Sequence, residues 1–224
     1  MVVVMKKLFF VVVMFVSVLA VNAQVVEKTF ADLKNEGNAA IKANDFPKAL
    51  DLYEQAMVKW GDKPIVDTSM VYNMGICAIK AKSWDKALKY FDKAISMNYK
   101  KVSSLLYKSD VYRITKNNPE NLKALEAALA ISPEDAKVKS KLATYYVGEA
   151  NAIYTKGSAI ILKVNNDITA GKLKTTDPTY ITAEQKAKDE YTKAMPLIDK
   201  ALSYDPANKT AAQIKAAIEQ ALKG

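Results

Sequence analysis

The chain has 224 residues, half of them hydrophobic, so it is long enough to bury a substantial core in one or two domains. Alanine, lysine and leucine are abundant and only seven glycines and seven prolines occur, which favours helix over sheet. The net charge of +9 comes almost entirely from lysines spread beside acidic residues, without a basic cluster and stacking aromatics, so the composition argues against nucleic-acid binding.

The N-terminus has the pattern of a signal peptide. A basic pair, Lys6 and Lys7, precedes an apolar run over residues 8–21, and the small-residue pattern Val-Asn-Ala ends at Ala23. The run is shorter than the roughly 20 residues that a membrane-spanning helix needs. We therefore predict a signal peptide over residues 1–23, export to the periplasm or beyond, and a mature domain over residues 24–224 without a membrane span.

Cys77 is the only cysteine, so no disulfide can form within the chain. It lies between Ile76 and Ala78 in a segment with helical character, and we predict a small buried core residue there and no reactive thiol.

Small and aromatic residues recur at fixed offsets over residues 30–135. Two copies are 38 residues apart, and a third follows at 34 residues with Ser109 in the glycine position. The matching sets are Gly37, Ala49, Tyr53 and Ala56, then Gly75, Ala87, Phe91 and Ala94, then Leu125 and Ala128.

This pattern resembles the tetratricopeptide repeat, a helix–turn–helix unit. The resemblance implies an all-α, right-handed superhelical solenoid, in which the glycines and alanines let paired helices approach and the aromatic residues fill the space between units. We expect units at about residues 30–63, 68–101 and 102–135, with an insertion around residues 59–68. An expanded fourth unit would cover residues 136–208, and a capping helix would cover residues 209–223.

Polar residues ahead of the apolar stretches predict where helices begin. Asp45, Ser83, Asn118 and Ser132 are the candidate N-caps, three of them followed by proline in the first turn. Apolar residues do not alternate with a period of two after residue 24, so the sequence predicts no strand.

The fourth unit departs from the ordinary repeat. A long helix is predicted over residues 136–164, with a bend at Gly148 or Gly157, followed by a polar loop over residues 165–182. Helix should resume at Ala183 and be kinked or broken at Pro196. Ala201 is in register with the small residues of the earlier units.

Two further stretches complete the prediction for the C-terminal third. Residues 210–223 have the one-sided apolar pattern of a helix that ends a solenoid. The stretch NAIYTKGSAII, residues 151–161, is similar to tetratricopeptide proteins exported by Bacteroidetes-like bacteria.

The sequence offers little for catalysis. Histidine is absent, and one cysteine cannot form a thiolate metal site. Ser83 and Lys86 match a Ser-x-x-Lys pattern, but its companion motifs are missing and Ser83 fits a helix cap better. We predict that the protein is not an enzyme and uses no cofactor or metal.

The resemblance implies a concave groove lined by the first helix of each unit, which suits an extended peptide. The partner would be a protein or peptide, either acidic or with a free C-terminus. The candidate groove residues are Lys34, Asn38, Lys42, Tyr72, Asn73, Lys80, Tyr107, Asp110 and Arg113.

One class of tetratricopeptide domain grips the C-terminal carboxylate of its partner. Lys34, Asn38 and Asn73 match three positions of that carboxylate clamp. Ser103 and Tyr107 stand where the class has a lysine and an arginine, so two cationic contacts are missing. The alternative is that Lys34 is an ordinary surface lysine and that both asparagines join neighbouring helices.

Three functions remain open on the sequence alone. The first is a non-catalytic scaffold that binds a partner in the groove. The second is a structural subunit of an envelope assembly that uses the fourth hairpin. The third is an envelope accessory protein associated with glycans. The sequence leaves the oligomeric state undetermined.

Overall fold

The computed structural model describes residues 27–61, 63–64 and 67–223. Within these residues the chain forms nine α-helices and no strand, which confirms the predicted all-α fold. The helices are α1 (Phe30–Lys42), α2 (Phe46–Trp60), α3 (Thr68–Lys80), α4 (Trp84–Ser96), α5 (Lys101–Ile114), α6 (Asn118–Ile131), α7 (Ala136–Thr169), α8 (Pro178–Tyr204) and α9 (Lys209–Lys223). The predicted signal peptide lies outside the described residues.

Each helix packs mainly against its neighbours in the chain. The pairs α1–α2, α3–α4, α5–α6 and α7–α8 form four hairpins, and α9 packs on α8 at the C-terminal end. Buried apolar residues form three consecutive clusters, one in the first two hairpins, one around the third, and one between the fourth hairpin and α9. The core is thus a continuous strip along a stack, as in a solenoid.

Side-chain caps explain most of the helix starts. Asp45 caps α2 and Asp67 caps α3, each by accepting a hydrogen bond from a first-turn backbone N–H. The prediction for α6 is wrong by one residue, because Asn117 is the cap. The prediction of Ser132 is also wrong: Ser132 ends α6, and Asp135 caps α7 with hydrogen bonds from Lys137 and Val138. Ser83 precedes α4 as predicted but makes no side-chain capping bond.

The turns within the first three hairpins share one backbone conformation. Each is three residues long, and its middle residue, Asn44, Lys82 or Lys116, has a φ between 56° and 59°. This left-handed conformation is uncommon for residues with a side chain, so its recurrence shows that the three hairpins are built alike.

The fourth hairpin is longer and more regular than predicted. The polar loop expected over residues 165–182 is wrong, because α7 continues to Thr169 and α8 already begins at Pro178 behind Asp177. Buried Val164 anchors the last turns of α7, and Pro178 occupies the first helical position, which proline favours. Only eight residues join the two helices.

Neither long helix is broken at the expected positions. α7 runs through Gly148 and Gly157, and α8 runs through Pro196. Ala194 and Ile198, on either side of Pro196, are fully buried, so packing of the flanking turns holds α8 together where a backbone hydrogen bond is missing.

Small residues lie where paired helices approach most closely. A Cβ atom on Gly37 would lie 2.6 Å from the Tyr53 ring, and one on Gly75 would lie 2.8 Å from the Phe91 ring. The other residues predicted to pack the repeats have almost no exposed surface: Ala49, Ala56, Ala87, Ala94, Leu125, Ala128 and Ala201.

The fourth hairpin contains the same contact in a place that the sequence pattern did not reveal. A Cβ on Gly157 would lie 2.7 Å from the Tyr191 ring. Gly157 is therefore a close-approach position between α7 and α8.

Cys77 is fully buried, as predicted. Burial raises the pKa of its thiol to about 11, so the residue stays protonated and packs as a small apolar group. No helix of residues 27–61, 63–64 or 67–223 combines the length and apolar character that crossing a bilayer requires.

Candidate binding site on the first-helix face

The first helices of the four hairpins lie side by side. Lys34 of α1 forms an ion pair with Asp67 at the start of α3, and the rings of Tyr72 in α3 and Tyr107 in α5 are 6.2 Å apart. Asp110 of α5 accepts a hydrogen bond of 2.5 Å from Lys141 of α7. We call the surface formed by α1, α3, α5 and α7 the first-helix face.

In the first unit, the candidate groove residues make contacts within the chain. The Lys34 ammonium is held by Asp67. The Tyr53 hydroxyl donates a 2.7 Å hydrogen bond to Asn38 Oδ1. Burial, followed by the nearby Cys77 thiol, raises the pKa of Tyr53 to about 12, so this hydroxyl remains a donor at neutral pH.

Tyr72 does not line an open groove, contrary to the prediction. Its side chain is 7% exposed, and its ring makes edge contacts with Phe91, Tyr99 and Tyr107. Burial, followed by the neighbouring Tyr107, raises its pKa. Tyr107 is half-buried and stacks on Phe91 with 5.2 Å between ring centroids. These rings form a packed layer between the second and third units.

Three other candidate residues remain accessible in the first two units. Lys42 and Lys80 are exposed, and Asn73 is half-buried. The Lys80 ammonium lies 5.9 Å from the centroid of the Phe46 ring. Lys42, Asn73 and Lys80 are therefore the residues of this part of the face that a partner could reach.

The last two candidates, Asp110 and Arg113, lie in a pocket of about 610 Å³ between α5, α6 and α7. We call it the corner pocket. Ser109 and Leu125 line it. They occupy the positions of Gly75 and Phe91 in the second unit, where the ring fills the space between the helices. With leucine in place of an aromatic ring, the third unit leaves that space open.

The length of α7 provides the other wall. A repeat of 34 residues would place an ordinary first helix at about residues 135–148. Glu149 and Ala152, which line the corner pocket, lie beyond that point on the extended part of α7. Gly148, which has no side chain, lines the same wall. The space beside it is open, because a Cβ there would meet nothing within 4 Å. The pocket thus exists where the projecting hairpin leaves the third unit.

The sequence prediction missed Asn121. This residue stands where Ala49 and Ala87 stand in the first two units, so a polar side chain interrupts a position otherwise kept small. Asn121 lines the corner pocket and is only 5% exposed. The break in the small-residue pattern was visible in the sequence, but only the structure shows that a pocket lies beside it.

Charged groups around the corner pocket are largely paired. Lys141 holds Asp110, and Asn118 Nδ2 donates a 2.6 Å hydrogen bond to Glu149. Tyr145 also lines the pocket, and burial, followed by the Glu149 charge, raises its pKa. In the part of the chain that the structure describes, no three acidic or cysteine side chains are grouped as a metal site would require.

The helical stack defines the class of protein: an α-solenoid built from helix–turn–helix units. A family model described as tetratricopeptide repeat matches residues 34–96 and 72–136. The match covers the first three hairpins, and the fourth hairpin and α9 follow the matched units.

Three solved structures with the same fold come from Bacteroides and Parabacteroides species. A tetratricopeptide repeat protein of Bacteroides fragilis superposes with a TM-score of 0.52 at 22% identity, over 87% of this chain and 99% of the other. One from Parabacteroides merdae has a TM-score of 0.50 at 16% identity, over 87% and 73%. A Bacteroides ovatus protein has a TM-score of 0.50 at 16% identity, over 88% and 98%. The solenoid fold predicted from the sequence is confirmed.

Proposed function

We propose that this protein is a non-catalytic scaffold that binds a peptide or protein segment along the first-helix face. The observation that carries the proposal is the corner pocket, which is bordered by α5 and α7 of this face and by α6, and has the volume typical of ligand sites. The tetratricopeptide fold supports it, because these repeats present extended surfaces to protein partners. The exposed residues Lys42 and Lys80 would add contacts along the same face.

The proposed partner binds the third unit and the base of the fourth hairpin more than the first unit. Lys34 and Asn38 are already engaged by Asp67 and Tyr53, so a carboxylate clamp at the first unit would have to break both contacts. Asn121 makes no side-chain hydrogen bond to the described residues, and the ion pair of Arg113 with Asp110 is long, at 4.0 Å.

A second candidate function uses the fourth hairpin as an assembly element. Leu162 and Ile181, near its tip, are large apolar residues with 62% and 54% of their surface exposed. Exposed apolar residues at the end of a projecting hairpin suit contact with another subunit.

Site-specific photo-crosslinking separates the two functions. A photoreactive phenylalanine analogue would replace Lys80 on the first-helix face, Leu162 near the hairpin tip, or Val58, an exposed residue of α2 that serves as the control. The proposed scaffold predicts a discrete crosslinked partner from position 80 in an extract of the source cells. Crosslinking from position 162 alone would favour the assembly function, and equal labelling from all three positions would contradict both.

We also propose that the protein is exported. The basic pair, apolar run and small-residue pattern before Gln24 support this location. Mass spectrometry of the protein from source cells should find a mature N-terminus at Gln24. A cytoplasmic protein that retains residues 1–23 would contradict the proposal.

A further inference from the structure

The side-chain amide of Asn121 borders the corner pocket and is not sealed from solvent. Its side chain makes no hydrogen bond to the described residues, although the residue is 5% exposed and borders the corner pocket. Among the described residues the buried side-chain polar atom that lacks a partner is Ser104 Oγ, so the Asn121 amide reaches solvent at the pocket. Alanine fills the same repeat position in the first two units, so the fold itself does not require asparagine here. A ligand in the pocket would hydrogen-bond this amide in place of solvent.

Arg113 provides the second independent feature. It is the only arginine of the chain, it borders the same pocket, and 62% of its side chain is exposed. Its nearest acidic atom among the described residues is Asp110 Oδ1, 4.0 Å from Arg113 Nε. Lys141 already holds that oxygen at 2.5 Å. The guanidinium group therefore retains donors for a ligand.

Glu149 does not form a close ion pair with Arg113. No ion pair within 4 Å joins them, and Glu149 accepts its hydrogen bond from Asn118. With Lys141 paired to Asp110, Arg113 is the cation of the corner pocket that is not closely paired in the described part of the chain.

We infer that the corner pocket binds an extended peptide segment, with a main-chain amide of the peptide on Asn121 and an Asp or Glu side chain on Arg113. The inference rests on the proposed function and names the chemistry of the partner. It places the specific contacts where the projecting hairpin meets the third unit.

The chemistry of the two side chains selects this ligand. The asparagine amide offers both a carbonyl acceptor and an NH₂ donor, which match the N–H and C=O of one peptide unit. The arginine fork binds a carboxylate through two parallel hydrogen bonds, which a neutral amide cannot reproduce with the same strength. The net charge of +9 would also attract an acidic segment.

The test uses an array of eight-residue peptides of random sequence, probed with the labelled chain from Gln24 onward. Peptides that bind are resynthesised in two forms, one with each Asp or Glu changed to Asn or Gln, and one with single N-methylated amides. Their affinities are then measured by fluorescence anisotropy for the parent and for N121A, R113Q and K123Q. Lys123 is the matched control because it lies on α6 with an exposed side chain, outside the pocket.

We expect N121A and R113Q each to weaken binding of the selected peptides by about tenfold or more, while K123Q binds like the parent. R113Q should also lose the preference for the acidic peptide over its amide form, and one N-methylated position should reproduce the loss seen in N121A. The melting temperature of N121A should be no lower than that of the parent, because alanine is the residue of the other units. That result would separate a binding defect from a folding defect.

Three other outcomes are distinguishable. If peptides bind but all three variants behave like the parent, the pocket is not their site; the inference is then wrong while the scaffold function stands. If the parent binds no peptide, both are contradicted. Binding of an envelope glycan that N121A and R113Q abolish would assign the pocket to carbohydrate and overturn the peptide inference.

Discussion

At the scale of single residues, the helices of this protein are brought together by glycines that face aromatic rings. Gly37 faces Tyr53, Gly75 faces Phe91 and Gly157 faces Tyr191, and in each pair a Cβ atom would lie within 2.8 Å of the ring. Real Cβ atoms essentially never come so close, so any side chain at these glycines must displace a buried ring.

Replacing Gly75 with leucine should lower the free energy of unfolding by at least about 2 kcal/mol, because overpacking at a fully buried contact outweighs the better helix propensity of leucine. Urea unfolding followed by circular dichroism measures this difference.

Gly148 offers the matched control, since it is also inside a helix but a Cβ there would meet nothing within 4 Å. Gly148→Leu should leave stability unchanged or raise it by up to about 1 kcal/mol. Equal effects of the two substitutions would show that close approach at Gly75 does not hold the hairpin together.

The residue scale also shows the limit of sequence reasoning about the site. Arg113 and Asp110 were predicted from their helical positions, and both border the corner pocket. Asn121 was missed because repeats are recognised by the residues that recur in every unit. Asn121 is an exception to that recurrence, since the first two units have alanine at its position. The contact between Tyr53 and Asn38 also depends on side-chain geometry that spacing alone does not fix.

At the scale of elements, the fourth hairpin is two long antiparallel helices. Buried residues recur along α8 at alternating steps of four and three, at Ala187, Tyr191, Ala194, Ile198 and Ala201. This spacing is typical of helices that pack side by side along their length. It explains why α8 continues where proline would ordinarily break a helix.

Pro196→Ala should therefore stabilise the protein. The substitution restores a backbone N–H and removes the proline ring from the helix interior. Proline in a helix interior costs roughly 3 kcal/mol relative to alanine. We therefore expect urea unfolding to show a gain of about 1–3 kcal/mol in the free energy of unfolding. Pro196 is exposed, so no core contact is lost. Pro206→Ala, in the turn after α8, is the control and should change stability little. No gain from Pro196→Ala would mean that α8 is already distorted there.

Helix existence was easier to predict than helix ends. Asp45 and its following proline identified the start of α2 because a cap needs only neighbouring residues. The boundary between α7 and α8 was misjudged, because the polar residues 165–169 gave no local sign of the packing that keeps them helical. The Asp177–Pro178 pair was the correct local signal for α8, and it was hidden inside a polar stretch.

At the scale of the whole molecule, ionic contacts link successive units across the stack. Asp67 joins the first two units through Lys34, and Glu54 of α2 accepts hydrogen bonds from Lys86 and Tyr90 of α4. Burial tends to raise the pKa of both carboxyl groups, but the hydrogen bonds outweigh it and each pKa lies below its usual value.

The stability of the stack should consequently fall in acid. A carboxyl group whose pKa is lower in the folded state stabilises that state above its unfolded pKa, near about 4, and loses this effect as the pH falls through the folded pKa. We expect the titration of these carboxyl groups to leave the urea midpoint of unfolding nearly unchanged between about pH 8 and 5. At pH values below about 4 the midpoint should move to lower urea concentrations.

Asp67→Asn tests the origin of that effect, because asparagine still caps α3 but carries no charge. The variant should be less stable than the parent at pH 7, and the difference should shrink as the pH approaches about 2. A difference that is constant across this range would exclude the Asp67 charge as its cause.

The central claim of this account is that the molecule is an extended stack in which each unit contacts its neighbours and leaves one face open to a partner. A compact protein of about 200 residues has a radius of gyration near 17 Å. α7 alone, with 34 residues, is about 51 Å long. Small-angle X-ray scattering of the monomeric chain from Gln24 onward should give a radius of gyration above about 20 Å. A value near 17 Å would mean that the chain folds into a globule and would contradict the account.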